Sequence, residues 1–371
     1  MSETVFILGA GASAESGAPL MNNFIDKAEE LLLYNPTSID QKAFEAVFDM
    51  IGVLQNLYAK SYIDLDNIES LFGAVEMGLT IGKLGTIYEV ETIRELRSSL
   101  INVIVQTLEC TISFPAKEDR LPIPDTDGQG NELTFLRVMP TESYRNFATL
   151  LKEHFPKSSI ITFNYDMALD VALRNVFGNE PNYSLYDDDG STNLQPKLMK
   201  LHGSINWYGC TCGRITPFSL EESTRRGNIT SDGVANIILP RSSIESPVCR
   251  CGERCNGRVI VPPTWNKNAY QGELSKVWKT ASNELSSARN IFVIGYSLPE
   301  TDSFFRYLYA LSTAGRSRIQ RFWVYNYGGL PEVLDRYKRL LGSSVRDRRF
   351  QYINHHSFSA AIGMIKYEFE K

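Results

Sequence analysis

A glycine-rich turn near the N-terminus is the first pattern in this chain that suits ligand binding. Gly9 and Gly11 follow the apolar run at residues 5–8, and apolar side chains recur at helical spacing from Phe24 onward. This order predicts a buried strand, a tight turn and a helix. Glycine lets a backbone approach an anion closely, and a helix N-terminus favours negative charge, so the turn predicts a phosphate site. A plain tight turn without a ligand is the alternative.

The turn departs from the usual dinucleotide fingerprint, G-x-G-x-x-G. Ala14 stands where the third glycine would be, and no clear acidic residue follows about 20 positions later. The pattern therefore disfavours an ordinary dehydrogenase. Ser13 and Ser16 suggest instead that side-chain hydroxyls supplement the backbone donors.

Polar residues follow four later apolar runs, at the point where each run ends. They are Asn164 with Asp166, His202, Ser297 beside Gly295, and Asn326. The carboxyl ends of parallel strands share one edge of a sheet, which is where nucleotides bind in α/β proteins. The alternatives are a helix cap for Asn164 or Asp166, a buried core imidazole for His202 and a plain turn for Ser297.

Five of the six cysteines lie between Cys210 and Cys255, and this clustering favours metal binding. Zinc binds four thiolates tetrahedrally, and a structural site of this kind leaves no open position for water. The first pair has C-x-C spacing, whereas the second group offers three candidates. We expect the ligands to be Cys210, Cys212, Cys251 and Cys255, with Cys249 as the alternate. Free cysteines in a degenerate module are the other interpretation.

Short apolar runs that alternate with helical patterns predict an α/β fold. The expected core is a Rossmann-like parallel sheet with helices on both faces, formed by residues 1–34 and 156–371. Helical spacing and few strand signals predict a large helical insertion at residues 35–155. Within it, residues 114–133 are rich in Pro, Asp and Gly and predict an exposed loop. A small, zinc-ribbon-like cysteine module is expected at residues 205–262.

Composition limits the classes of function. The 371 residues carry a net charge of −5, with 43% apolar and 22% charged residues, as is typical of soluble globular proteins. A broad basic surface for nucleic acid is therefore not expected. No apolar run approaches the roughly 20 residues of a membrane span, and the first residues do not resemble a signal peptide. We expect a cytoplasmic protein without membrane contact or direct nucleic-acid binding.

Several motifs, taken in order, resemble the sirtuin family. They are residues 9–13 with 17–19, the Thr-Phe-Asn-Tyr-Asp segment at 162–166, the Leu-His-Gly-Ser segment at 201–204, and residues 293–299 followed by Asp302. Residues 66–71 are similar to a segment common in the bacterial sirtuin-like branch. The resemblance covers nearly the whole chain.

The resemblance implies that the protein binds NAD and breaks its nicotinamide–ribose bond. Asn164 would contact the nicotinamide ribose or position the attacking group, and His202 would be the general base. Asp166 would face the nicotinamide amide, and residues 9–13 would hold the pyrophosphate. The NAD-binding residues implied are Gly9, Ala10, Gly11, Ala12, Ser13, Ser16, Pro19, Asp166, Gly295, Ser297 and Asn326. Sirtuins also carry a four-cysteine zinc module at this point in the chain.

Two departures change the expected activity. Deacylating sirtuins follow the turn with Pro-Asp-Phe-Arg, whereas Pro19 here precedes Leu-Met-Asn, and the insertion is larger than in compact deacylases. Both features resemble the NAD hydrolases of bacterial anti-phage, abortive-infection systems. We therefore expect an NAD glycohydrolase, with an NAD-dependent lysine deacylase or a non-catalytic NAD or ADP-ribose sensor as alternatives. By analogy, a homo-oligomer and a separate activator are expected, either a HerA-like ATPase or an Argonaute-type protein.

Overall fold

The computed structural model describes residues 3–56, 63–85, 87–122, 132–186, 195–225, 228–229, 233–241, 245–261, 268–315, 319–355 and 357–370. Its strands are β1 (Thr4–Leu8), β2 (Lys83–Leu84), β3 (Tyr88–Glu89), β4 (Phe114–Pro122), β5 (Glu132–Val138), β6 (Ser158–Thr162), β7 (Lys197–Lys200), β8 (Gly203–Gly209), β9 (Ile215–Pro217), β10 (Asn228–Ile229), β11 (Val234–Asn236), β12 (Gly257–Ile260), β13 (Asn290–Ile294), β14 (Arg321–Tyr327) and β15 (Phe350–His355).

The helices are α1 (Ala10–Ser13), α2 (Phe24–Tyr34), α3 (Gln41–Gln55), α4 (Ile68–Ile81), α5 (Val90–Thr111), α6 (Glu142–His154), α7 (Ala168–Phe177), α8 (Leu220–Arg225), α9 (Asn268–Ser287), α10 (Ser303–Thr313), α11 (Pro331–Leu340), α12 (Ser343–Arg346) and α13 (Phe358–Glu370). Within the described ranges, no helix combines the length and apolarity that crossing a membrane would require.

A six-stranded parallel sheet forms the centre of the fold, in the spatial order β15-β14-β13-β1-β6-β7. Every residue of β1 and of β6 is buried. Successive side chains of a strand point to opposite faces, so a strand that is buried throughout must be covered on both sides. The predicted Rossmann-like sheet with helices on both faces is confirmed.

Two groups of helices cover this sheet. Helix α6 packs against α7 and α13, and α9 packs against α10. The ring of Phe147 in α6 meets that of Phe6 in β1 edge-on, with centroids 5.2 Å apart. The helical layer over the sheet therefore already includes α6, which lies before residue 156, where the sequence placed the return to the core.

The predicted helical insertion is present as α3, α4 and α5, which pack against one another through α5. The exposed loop predicted at residues 114–133 is wrong in part. Strands β4 and β5 pair antiparallel, and β11 and β10 extend them to a four-stranded sheet. Phe114 and Val138 are buried. Residues 123–131 of this prediction lie outside the described residues, and the pairing of β4 with the distant β11 was not visible in the local sequence.

The cysteine module begins directly after His202. Strand β8 starts at Gly203 and pairs antiparallel with β9 and β12. The Trp207 side chain is fully buried within this small sheet. The chain therefore passes from the parallel sheet into the module at the candidate catalytic histidine.

Candidate functional site

The polar strand ends meet at one edge of the parallel sheet. Lys200, Thr162, Leu8, Ile294 and Tyr325 are register partners across five adjacent strands. The residues that follow them are therefore neighbours. Strand β1 lies where the chain order of the sheet reverses, with β6 on one side and β13 on the other. A crevice at such a switch point is the usual ligand site of an open α/β sheet.

The glycines of the turn allow two backbones to pack closely. The Gly11 N–H donates to the Gly295 carbonyl oxygen at 3.0 Å, and a Cβ on Gly9 would lie 2.6 Å from the same oxygen. Gly295 has a φ of +65°, and a Cβ there would lie 2.5 Å from the Ala12 nitrogen. These glycines are therefore required for the packing of the two backbones, and anion binding at the turn stays a prediction.

A cleft of about 200 Å³ lies beside the turn, between the ends of β13 and β14 and the start of α13. It is lined by Gly11, Ala14, Glu15, Leu20, Ile294, Gly295, Tyr325, Asn326, Tyr327, Ser357, Phe358 and Ala361. Three residues predicted to bind NAD, Gly11, Gly295 and Asn326, thus share one cleft. Ser297 is exposed and is not part of this lining.

Ser13 is the centre of a buried hydrogen-bond network. Its Oγ lies 2.8 Å from the Tyr144 hydroxyl and donates to Asp166 Oδ2 at 2.8 Å. The Asn164 amide donates to Ser13 Oγ and to the Gly9 carbonyl oxygen, both at 2.9 Å. The network ties the ends of β1 and β6 together and fixes the orientation of the Asn164 carboxamide.

Asp166 links the turn to α7. Its Oδ1 accepts the Ala168 N–H at 2.9 Å, so it supports the start of the helix, as one alternative predicted. Burial raises the pKa of the Asp166 carboxyl, whereas the nearby charge of Lys200 lowers it. Burial also raises the pKa of Tyr144 well above its usual value, so Tyr144 remains a neutral hydroxyl here. A contact between Asp166 and nicotinamide stays a prediction.

A buried ion pair lies next to Asp166 and was not predicted from the sequence. Lys200 Nζ lies 2.9 Å from Asp170 Oδ2, and both side chains are 1% exposed. Lys200 also donates to the Asp166 carbonyl oxygen, and the Tyr183 hydroxyl donates to Asp170 Oδ1. The sequence signal for this ion pair was Lys200, which lies within the mostly apolar run 197–201. Lysine is rarely buried without a partner, so a buried acid near it could have been expected.

His202 lies in a second group of side chains, next to the Ser13 network. Its Nε2 is 3.1 Å from Asp302 Oδ1, and each of the two side chains is 3% exposed. The Phe163 ring meets the imidazole edge-on at 5.2 Å and stacks on Tyr296 at 4.1 Å. Thus Asn164 contacts Ser13 and His202 contacts Asp302, while residues 163–165 connect the two groups.

The remaining residues predicted to bind NAD are not part of the cleft lining. The Ser16 hydroxyl is buried 2.9 Å from Thr141 Oγ1, so it faces the segment before α6 and is not part of the cleft lining. Ala12 and Pro19 are buried, and Ala10 is half-buried in α1. Their contacts with NAD stay predictions.

A larger cavity, of about 690 Å³, lies between α5 and the cysteine module. Its charged residues already interact with protein groups. Arg97 pairs with Glu76 at 2.7 Å, and Arg241 pairs with the buried Glu109 at 3.4 Å. It contains none of the polar strand ends, so we place the candidate nucleotide site at the smaller cleft, whose lining includes neither Asn164 nor His202.

The predicted zinc ligands differ from the observed cysteine cluster by one residue. The sulfur atoms of Cys210, Cys212, Cys249 and Cys251 all lie within 4.8 Å of one another. Cys210 Sγ is 3.5 Å from Cys251 Sγ, and Cys212 Sγ is 3.7 Å from Cys249 Sγ. Tetrahedral Zn–S bonds would give sulfur separations of about 3.8 Å, so the four thiols fit zinc. Cys249, the alternate, takes the place of Cys255 in this set.

The set follows from a repeated C-x-C-G turn. Gly213 and Gly252 have φ values of +78° and +93°, and each N–H donates to the carbonyl oxygen of the first cysteine of its turn. The Cys251 N–H donates to the Cys249 thiolate and thereby lowers the pKa of that thiol to about 6. The glycine after each C-x-C was the sequence signal that distinguished Cys249 from Cys255.

Substitution of single cysteines tests this ligand set. Cys249→Ser is expected to lower the zinc content of the purified protein well below one ion per chain, because a serine hydroxyl is a poor zinc ligand. Cys255→Ser is the matched control and should retain the metal content of the unchanged protein. Mass spectrometry of metals after dialysis measures both. Zinc loss in the Cys255 variant with retention in the Cys249 variant would restore the set expected from the sequence.

The fold and the site together define a Rossmann-like α/β protein with a cleft at the switch point of its sheet. No protein-family model matches the chain, and no curated protein matches it. Among solved structures, Sir2 bound to an acetylated peptide and Sir2 with a p53 peptide and NAD+ are similar to it, each at 14% identity and a TM-score of 0.38. Each match covers 98% of this chain and 92% of the matched Sir2 chain. A TM-score this low marks a loose superposition.

Proposed function

We propose that this chain is an NAD glycohydrolase that converts NAD and water to nicotinamide and ADP-ribose. The observation that carries the proposal is the arrangement of the glycine turn, Asn164 and His202 after the adjacent strands β1, β6 and β7. These are the segments whose order resembles sirtuins, and the switch point of the sheet supports a nucleotide there.

The cleft beside the turn would take the adenosine half of NAD, with Gly295 and Asn326 in its wall. The pyrophosphate would lie along the turn at residues 9–13, as the resemblance to sirtuins implies. The Asn164 carboxamide, held by Gly9 and Ser13, would then contact the nicotinamide ribose. This order places the scissile bond on the side of the turn nearer to β6 and β7.

The proposed reaction is a displacement at the anomeric carbon of the ribose. The bond to nicotinamide breaks, its electron pair leaves with nicotinamide, and an oxocarbenium-like ribose develops. The water oxygen forms the new bond to this carbon, and a neutral imidazole such as that of His202 takes the water proton. An acyl-lysine carbonyl in place of water would give deacylation.

Two features favour water as the acceptor. The segment after Pro19 lacks the Pro-Asp-Phe-Arg sequence of deacylating sirtuins, and a large helical insertion precedes Asn164. Both resemble bacterial anti-phage NAD hydrolases. We therefore extend the proposal to an NAD-depleting, abortive-infection effector that assembles as a homo-oligomer and is activated by a separate protein.

Mass spectrometry of NAD products tests the proposal. The full-length chain is incubated with NAD alone, with the product of a neighbouring gene, and with an acylated lysine peptide. We expect equimolar nicotinamide and ADP-ribose without any peptide, at least in the presence of the neighbouring gene product. Nicotinamide release that requires the acylated peptide would identify a deacylase instead. Tight NAD binding without product under every condition would identify a sensor.

A further inference from the structure

We propose that Asp302 is the positioning residue for His202, with its carboxylate in ion-pair contact with Nε2 so that Nδ1 is the nitrogen that accepts the proton. The proposal rests on the proposed NAD cleavage, in which His202 is the base. It adds a residue, a specific atom and an ion-pair contact to that reaction, and the resulting form of the imidazole can be detected without turnover.

The geometry supports a fixed pair. Asp302 Oδ1 lies 3.1 Å from His202 Nε2, and the Tyr296 hydroxyl donates to Asp302 Oδ2 at 2.8 Å. Oδ2 is thus hydrogen-bonded, whereas Oδ1 lies within ion-pair range of Nε2 without the alignment of a hydrogen bond. Asp302 lies in the 3-10 turn Glu300–Asp302, directly before α10, so its backbone is also held.

The pairing determines the form of the imidazole. In a neutral histidine one ring nitrogen carries the proton and the other is the acceptor. A carboxylate beside Nε2 favours the proton at Nε2, which leaves the lone pair on Nδ1. When Nδ1 takes a proton from water, the adjacent carboxylate stabilises the imidazolium, the same logic by which a buried aspartate supports histidine in hydrolases.

The surroundings strengthen this interaction. Phe163 meets the imidazole edge-on, Tyr165 lies with its ring centroid 6.1 Å away, and Phe305 packs edge-on against Phe163. Aromatic walls exclude water, and charges interact more strongly where water is absent. The Asp302 carboxylate therefore acts on His202 with little screening by solvent.

Other ionisable groups also face this pocket. After burial, the charge of Asp302 is the next cause that raises the pKa of the Tyr296 phenol. Burial and then the carboxylate of Glu69, at the start of α4, raise the pKa of the Tyr165 phenol, and Glu69 also acts on Tyr296. Both tyrosines therefore remain neutral, and Asp302 is the acid in contact with the imidazole.

A double-mutant cycle separates positioning from a structural role. Asp302→Asn keeps the size of the side chain, and we expect it to lower kcat at least 10-fold with little change in the dissociation constant for NAD. In the His202→Ala background the same change should have no further effect, because its contribution passes through His202. Equal effects of Asp302→Asn in both backgrounds would overturn the proposal. Glu76→Gln, which removes another paired, mostly buried carboxylate, is the control and should keep kcat.

Nitrogen-15 NMR of the imidazoles provides a readout independent of activity. The chain has four histidines, and the signal missing in His202→Gln assigns His202. We expect a neutral ring protonated at Nε2 that changes in Asp302→Asn. A ring protonated at Nδ1 instead would overturn the pairing even if NAD is cleaved. If the predicted signal is found but no NAD is cleaved, the pairing stands and the proposed function fails.

Discussion

Asn164→Ala is expected to reduce NAD cleavage about 10²–10³-fold, the usual cost of removing one oriented polar group from a reaction centre. The Asn164 amide is held by Gly9 and Ser13 at 2.9 Å, so its orientation is set before any ligand binds. Nicotinamide release by the active assembly measures the effect. Because Ser13 keeps its bonds to Tyr144 and Asp166, the variant should remain folded.

Asn236→Ala is the matched control for this loss. Asn236 is also half-buried, and its amide also donates two hydrogen bonds, to the carbonyl oxygens of Ile112 and Cys110. Each substitution removes similar bonds and should cost roughly 1–2 kcal/mol of stability. Only the Asn164 variant should lose activity. Equal losses in the two variants would mean that Asn164 acts through stability and would remove it from the proposed reaction.

Gly203→Ala is expected to destabilise the fold strongly and to disturb His202. Gly203 has a φ of +80°, and a Cβ there would collide with the Val259 carbonyl oxygen of β12. Left-handed backbone costs about 1–2 kcal/mol for other residues, and a forced contact in a packed region adds about 1–3 kcal/mol. The adjacent His202 carbonyl oxygen accepts the Val261 N–H at 2.8 Å, so any shift of β12 moves the histidine backbone.

Gly178→Ala measures the cost of a left-handed backbone alone, without the steric collision expected at Gly203. Gly178 ends α7 with a φ of +83°, but a Cβ there would meet open space. We expect a small fall in melting temperature for this variant and a large fall, or insoluble protein, for Gly203→Ala. Scanning fluorimetry measures both. Similar melting temperatures would show that the approach of β12 to Gly203 relaxes at little cost.

Local patterns were sufficient for the sheet and its polar edge. Runs such as residues 5–8 and 159–163 are apolar throughout because both faces of a parallel strand are buried, and this requirement is visible in the sequence. The polar residues after these strands were also visible, and Gly9, Asn164 and His202 follow the adjacent strands β1, β6 and β7 in the structure. The exposed loop expected at residues 114–133 was wrong in part, because residues 116–122 pair with residues 132–138 and residues 114–115 pair with the distant β11.

The partners of the site residues came only from the tertiary structure. Asp302 is 100 positions from His202 in the chain, and Tyr144 reaches Ser13 from a helix before β6. No spacing rule connects such residues, because their meeting depends on how helices cross the sheet. The same reason applies to the cysteines, since the folding of two C-x-C-G turns toward each other selects Cys249. The sequence alone therefore determined the residue types at the site and the strands that carry them. Their hydrogen-bond partners depended on how the helices and strands pack in the tertiary structure.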